Sequence, residues 1–152
     1  MSDTTERQVA ATRVMHAPPE RIFELLADPS AHARFDGSGS VQRPRSGAPA
    51  RLSLGARFGM DMKVGLPYRI TNEVVEFEEG RRIAWRHFGH HIWRYELEPV
   101  EGGTQVTETF DWRTSRFPPF YTWVRADRHN HTAIVATLDR LAALVEDEGT
   151  GA

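Results

Sequence analysis

The sequence predicts an α+β domain in which a curved antiparallel sheet of about six to seven strands wraps around a long C-terminal helix, with one or two short helices after the first strand. Three observations carry that prediction. Apolar residues alternate with polar ones in short runs separated by Gly-containing turns, as in a meander. In one run the apolar parity changes midway, as it does where a sheet bends. Nothing between Phe120 and Glu148 would break a helix.

The 152 residues fit a single domain spanning the whole chain, and the 39% hydrophobic and 26% charged shares suit a folded protein. Nineteen Lys and Arg against 21 Asp and Glu leave a net charge of −2, too weak a field to recruit nucleic acid. The absence of Cys excludes disulfides, thiolate metal sites and a cysteine nucleophile. Met1 to Gln8 has no apolar segment of the kind a secretory signal needs, and no run approaches the roughly 20 apolar residues that span a bilayer. A cytoplasmic protein without stable membrane insertion, monomeric or homodimeric, is expected.

Val9 to His16 reads as a strand ended by Ala17-Pro18-Pro19. Glu20 to Ala27 follows as a short amphipathic helix with Ile22, Phe23 and Leu26 on one face, closed by Asp28-Pro29. Ser30 to Phe35 suits another helical turn or two capped by Ser30. Between Asp36 and Leu54 the chain is rich in Gly, Ser, Pro and Arg, with weak strand signals near Ser40–Arg43 and Arg51–Leu54.

Phe58, Met60, Met62 and Val64 then alternate with polar or small residues. Tyr68 to Glu78 is a longer strand whose parity shift asks for a bulge near Asn72–Val74. Turns at Glu79-Gly80, Gly89-His90 and Glu101-Gly102-Gly103 separate three further strands. Their inward faces carry Ile83, Trp85 and His87; His91, Trp93, Tyr95 and Leu97; and Val106, Glu108, Phe110 and Trp112. Glu108 is the misfit, a carboxylate on an apolar face. On the last helix Val124, His131, Leu138 and Val145 recur every seven positions, flanked by Asp127, Ile134 and Leu141. The C-terminal half of that stripe is aliphatic, like core, and the N-terminal half is mixed, like a cavity wall.

This order of elements resembles the helix-grip (SRPBCC) superfamily of START lipid-transfer domains, the major birch-pollen allergens and the polyketide cyclase/dehydrase proteins. The likeness is carried by Ala17-Pro18-Pro19-Glu20-Arg21-Ile22-Phe23 with Leu26-Ala27-Asp28-Pro29, and by Glu79 to Arg86. It continues in Trp93 to Pro99, Gly102 to Glu108 and the Leu138–Leu141 region. Together these look like the bacterial polyketide-cyclase-like branch. The resemblance implies an apolar cavity between sheet and C-terminal helix, in a superfamily that holds enzymes, carriers and partner-binding modules.

Phe58, Met60, Met62, Trp85, His87, Trp93, Tyr95, Phe110, Trp112 and Val124 are the candidate ligand-binding residues; any one of them alone would equally serve as core. Asp127 and His131 sit four apart on one helix face. With Glu108 they offer an acid and a base for an aldol-type cyclisation or dehydration, or else Asp127 and His131 form a structural ion pair. The His spacing matches no recognised zinc motif, so neither metal nor cofactor is expected. Arg81, Arg82, Arg86 and Arg94 share the outer face with Glu73, Glu76, Glu96 and Glu98, which reads as a solvated charge ladder. The function expected first is binding of a small apolar or aromatic molecule such as a lipid or polyketide. A cyclase or dehydratase and a regulatory, co-chaperone-like module are the alternatives.

Overall fold

The computed structural model describes residues 2–5, 8–39, 41–87, 91–113 and 126–150, with side chains described for 8–39, 41–63, 65–87, 91–113 and 130–146. Strand β1 (Ser2–Thr5) pairs with β2 (Gln8–Met15), and Pro18 and Pro19 end the extended chain. Pro19 opens α1 (Pro19–Leu26), which buries Ile22, Phe23 and Leu26. A 3-10 turn (Pro29–Ala31) leads into α2 (His32–Phe35). Its cap is Asp28 rather than the expected Ser30: the Asp28 carboxylate accepts from both the Ser30 amide (2.9 Å) and its hydroxyl (2.6 Å).

Strands β3 (Val41–Pro44), β4 (Arg57–Val64), β5 (Leu66–Glu78), β6 (Arg82–Arg86), β7 (Ile92–Val100) and β8 (Gly103–Asp111) follow, and the chain ends in α3 (Ala126–Thr150). One sheet of eight strands results, in the order β1-β2-β8-β7-β6-β5-β4-β3, with every neighbouring pair antiparallel. The expectation of six to seven strands is therefore corrected to eight. The unexpected one is β1, whose acids and hydroxyls carry no apolar alternation. Arg51–Leu54 forms no strand: the Leu52 amide donates to the Ala27 carbonyl (2.7 Å) and the side chain plugs into the core. The expected bend is present as a register shift between Val74 and Glu76.

Pairing aligns the inward side chains into rows that cross the sheet. One runs Val9, Phe110, Trp93, Trp85, Val74, and the next Ala11, Glu108, Tyr95, Ile83, Phe77. The outward side carries the charges, with Arg86 on Glu73 (3.1 Å), Arg94 on Glu76 (2.7 Å) and Arg82 on Glu96 (3.2 Å). Helix α3 buries Ile134, Leu138, Leu141, Ala142 and Val145 and packs chiefly on β2, with α2 and β8 beside it. An ion pair from Arg13 to Asp139 ties it to β2.

The loop after α2 clips onto the same helix. The Gly37 amide donates to the Thr137 hydroxyl (2.8 Å), and Arg140 donates to the Asp36 carbonyl (2.6 Å). A Cβ on Gly37 would lie 2.5 Å from the Thr137 amide nitrogen and 2.6 Å from the Ala133 carbonyl oxygen. Backbone atoms cannot rotate away, so only Gly allows this approach. Gly37→Ala is expected to destabilise the fold by about 1–3 kcal/mol, as overpacking does, while Ser38→Ala is expected to change little. Equal urea midpoints for Gly37→Ala and the parent protein would show that the clip is not tight in solution.

Candidate functional site

Because α3 rests on one flank of a bent sheet, the inner faces of the remaining strands are left partly uncovered. The space forms a cavity of about 410 Å³, within the range of small-molecule sites. Its floor is aromatic: Trp85, Trp93, Tyr95 and Phe110 come from β6, β7 and β8. One side is deformable, with Met60 and Met62 on β4 facing Ile70 and Tyr68 on β5. Phe35, Asp36, Ser38 and Val41 supply a second side, and Asn130, Ala133 and Thr137 of α3 form the roof.

Polar groups in this wall are few and tightly enclosed. The Tyr95 hydroxyl donates to Glu108 Oε2 (2.9 Å), and Glu108 is only 3% exposed. Among the described residues its Oε1 has no partner. Burial, assisted by the negative charge of Asp36, drives the Glu108 carboxyl well above the usual carboxylate range, and the Tyr95 hydrogen bond offsets only part of this. Burial and the neighbouring Glu108 likewise push the Tyr95 phenol up. Burial therefore favours the protonated form of Glu108, with Oε2 accepting from Tyr95 and Oε1 left to serve a guest. The Asn72 side chain, also 3% exposed, presents an unpartnered Oδ1.

Three histidines line the cavity in neutral form. The His32 ring stacks on Trp85 with centroids 4.8 Å apart, and its Nε2 donates to the Leu26 carbonyl (2.9 Å). Desolvation lowers its pKa to about 4 against the favourable pull of that carbonyl. The rings of His87 and His91 lie 4.7 Å apart; burial lowers His91 to about 4, and burial with the adjacent His91 lowers His87 well below its ordinary value. Among the described residues no three His, Asp or Glu converge as a metal site would require.

Of the residues singled out in the sequence, Met60, Met62, Trp85, His87, Trp93, Tyr95, Glu108 and Phe110 meet at this cavity. Phe58 and Trp112 are buried behind its wall instead, Phe58 edge-on to Trp85 (5.8 Å) and Trp112 tilted against Phe110 (5.4 Å). His131 is half-buried but does not line the cavity, because the helix presents the neighbouring stripe of Asn130, Ala133 and Thr137. Val124 and the side chain of Asp127 lie outside the described residues. Sequence reasoning missed His32 and Asn72. His32 stands among the apolar Ala31 and Phe35 of a short helix, and Asn72 sits where the parity of β5 was read as irregular.

The family described as polyketide cyclase / dehydrase and lipid transport matches residues 6–146. The uncharacterized protein Rv0088 of Mycobacterium tuberculosis is 36% identical over 146 residues, covering 92% of this chain. This chain spans 65% of that relative's length. Among solved structures, protein NE0264 from Nitrosomonas europaea superposes with a TM-score of 0.76 at 16% identity, covering 97% of this chain and 99% of that one. The Polyketide_cyc-like protein Cgl2372 from Corynebacterium glutamicum gives 0.66 at 19%, covering 98% and 97%. At such identities the likeness is one of fold.

The buried acid makes a prediction about pH. Glu108 keeps its proton in the fold and loses it on unfolding, so its contribution to stability declines as pH rises above its unfolded value near 4.5. Glu108→Gln carries no such proton. Its advantage in urea unfolding over the parent protein is expected to grow from about pH 5 upward, by at most about 1.4 kcal/mol per pH unit. A gap that stays constant from pH 5 to about pH 8 would mean that Glu108 is ionised in the folded protein.

Proposed function

The chain belongs to the polyketide cyclase/dehydrase and lipid transport family, and from that membership together with the cavity we infer that the protein holds a small apolar or aromatic molecule between its sheet and α3. The observation that carries this reading is the open, aromatic-floored space beside Ala133 and Thr137. A partner-binding module of the same fold would have that space filled by its own side chains. Trp85, Trp93, Phe110 and Tyr95 would stack on the guest, and Met60 and Met62 would adapt to its outline.

The neutral fluorophore phenylnaphthylamine tests this directly. Saturable one-to-one binding with quenching of the tryptophans is expected. Ala133→Phe, which places a ring into the cavity from the helix, should weaken binding by about tenfold or more, equivalent to about 1.4 kcal/mol, with an unchanged far-ultraviolet circular dichroism spectrum. Absence of saturable binding to the parent protein would remove the reading.

A second reading is favoured by one feature, the neutral carboxylic acid of Glu108 in the cavity wall. Such a group can protonate a departing hydroxyl or a carbonyl oxygen, the acid half of a cyclase or dehydratase step. His131, off the cavity, is not assigned the base. With an aryl β-hydroxyketone as substrate, dehydration followed by enone absorbance is expected for the parent protein and not for Glu108→Gln, while that variant still binds phenylnaphthylamine. Equal rates in the two proteins would remove Glu108 as the acid of such a step.

A further inference from the structure

We propose that the cavity takes uncharged aromatic compounds bearing a carbonyl oxygen and rejects the corresponding carboxylates, with Glu108 donating a hydrogen bond from Oε1 to that carbonyl. The proposal deepens the ligand-binding reading above and depends on it. It begins from what lines the space. Among the described residues no Arg or Lys reaches the cavity. The basic side chains there among the described residues are His32, His87 and His91, and burial lowers the pKa of all three. A bound carboxylate would lose its water and find no cation in return, which is among the costliest of transfers.

The acidic side of the account points the same way. Asp36 lines the cavity, its Oδ2 accepting from the Ser38 hydroxyl (2.6 Å) and the Val41 amide (3.4 Å), and it adds negative potential close to Glu108. An anionic guest would meet a like charge. Free fatty acids and aryl acids are thereby disfavoured even where their apolar parts fit the aromatic floor.

What the wall does offer is two enclosed polar atoms without a partner among the described residues, one on Glu108 and one on Asn72. Glu108 Oε2 is occupied by the Tyr95 hydroxyl, which leaves Oε1 as the end that faces no protein group. Held as an acid, it is a hydrogen-bond donor without a partner, and a ketone, quinone or ester oxygen completes it. Asn72 Oδ1 is an acceptor in the same condition on β5, three strands away in the sheet, and suits a hydroxyl at the other end of the guest. Polar atoms buried without partners cost a fold stability. A site that leaves two of them on one cavity wall is built to be completed by something with the opposite polarity.

Three naphthalenes of nearly equal size separate these effects, each measured by its displacement of phenylnaphthylamine from the full chain near neutral pH. Acetylnaphthalene is expected to bind about three- to tenfold more tightly than ethylnaphthalene, the worth of one neutral hydrogen bond. Naphthoate is expected to bind more weakly than both. Glu108→Ala should erase the ketone's advantage over the hydrocarbon, and Glu108→Gln, whose amide also donates, should keep it. Naphthoate binding as tightly as acetylnaphthalene, or a ketone advantage that survives Glu108→Ala, overturns the proposal while the cavity remains a binding site. Failure of phenylnaphthylamine itself to bind takes down the ligand reading as well. Should Glu108→Ala fail to fold, the naphthoate-to-ketone ratio in the parent protein and in Glu108→Gln still decides.

Discussion

Everything in this molecule depends on where the terminal helix comes to rest. Helix α3 lies over β2 and β8, held by its aliphatic stripe, by the Arg13–Asp139 pair and by the loop whose Gly37 meets Ala133 and Thr137 at backbone distance. The sheet continues for five more strands beyond β8. A single helix, roughly 10 Å across with its side chains, cannot cover that width. The elements after β2 close part of the gap: α1 brings Phe23 against Phe77, and α2 brings His32, edge-on to Phe35, against Phe58 and Trp85. Among the described residues, the cavity is the part that neither covers.

A cavity kept open this way has a thermodynamic cost that shows in its ionisable groups. Its histidines are neutral because burial makes the imidazolium unfavourable, so their contribution is complete above their unfolded value of 6.5 and is lost as pH falls toward about 4. Glu108 behaves in the opposite sense, favouring the fold under acid conditions and less so as pH rises. The two limbs oppose one another between about pH 4.5 and 6.5. A protein selected for stability alone would place Leu or Met at position 108.

The rows of side chains across the sheet were legible because a strand facing solvent on one side must alternate. Trp85, Trp93, Tyr95, Phe110 and the misfit Glu108 all stand where that alternation puts them. The strand β1 was not legible, since its pairing with β2 is a matter of backbone hydrogen bonds that leave no apolar pattern. The helix was read in the correct phase for its core contacts, Ile134, Leu138 and Val145. Of the residues expected to face the cavity from this helix, only His131 has a described side chain, and the open space meets the adjacent stripe instead. Asn130, Ala133 and Thr137 are small or polar, and periodicity analysis ranks such residues as surface. His32 escaped for a related reason: a helix of four residues carries no periodic signal, and its stacking on Trp85 with its bond to the Leu26 carbonyl reveals its place.

The outer face of the sheet backs the inner one with charge. Glu73 holds Arg86 across β5 and β6, and Arg94 on β7 reaches both Glu76 on β5 (2.7 Å) and Asp111 on β8 (3.6 Å). Asp111 in turn holds Arg113 (2.6 Å), and although burial works against it, that bond brings its carboxyl below the ordinary range. Exposed pairs of this kind add little stability one at a time. Linked across four neighbouring strands, they cover the outer side of the same β6, β7 and β8 whose inner side carries Trp85, Trp93, Tyr95 and Phe110. The bend itself comes with the register shift between Val74 and Glu76, where the backbone and not the charge pattern changes.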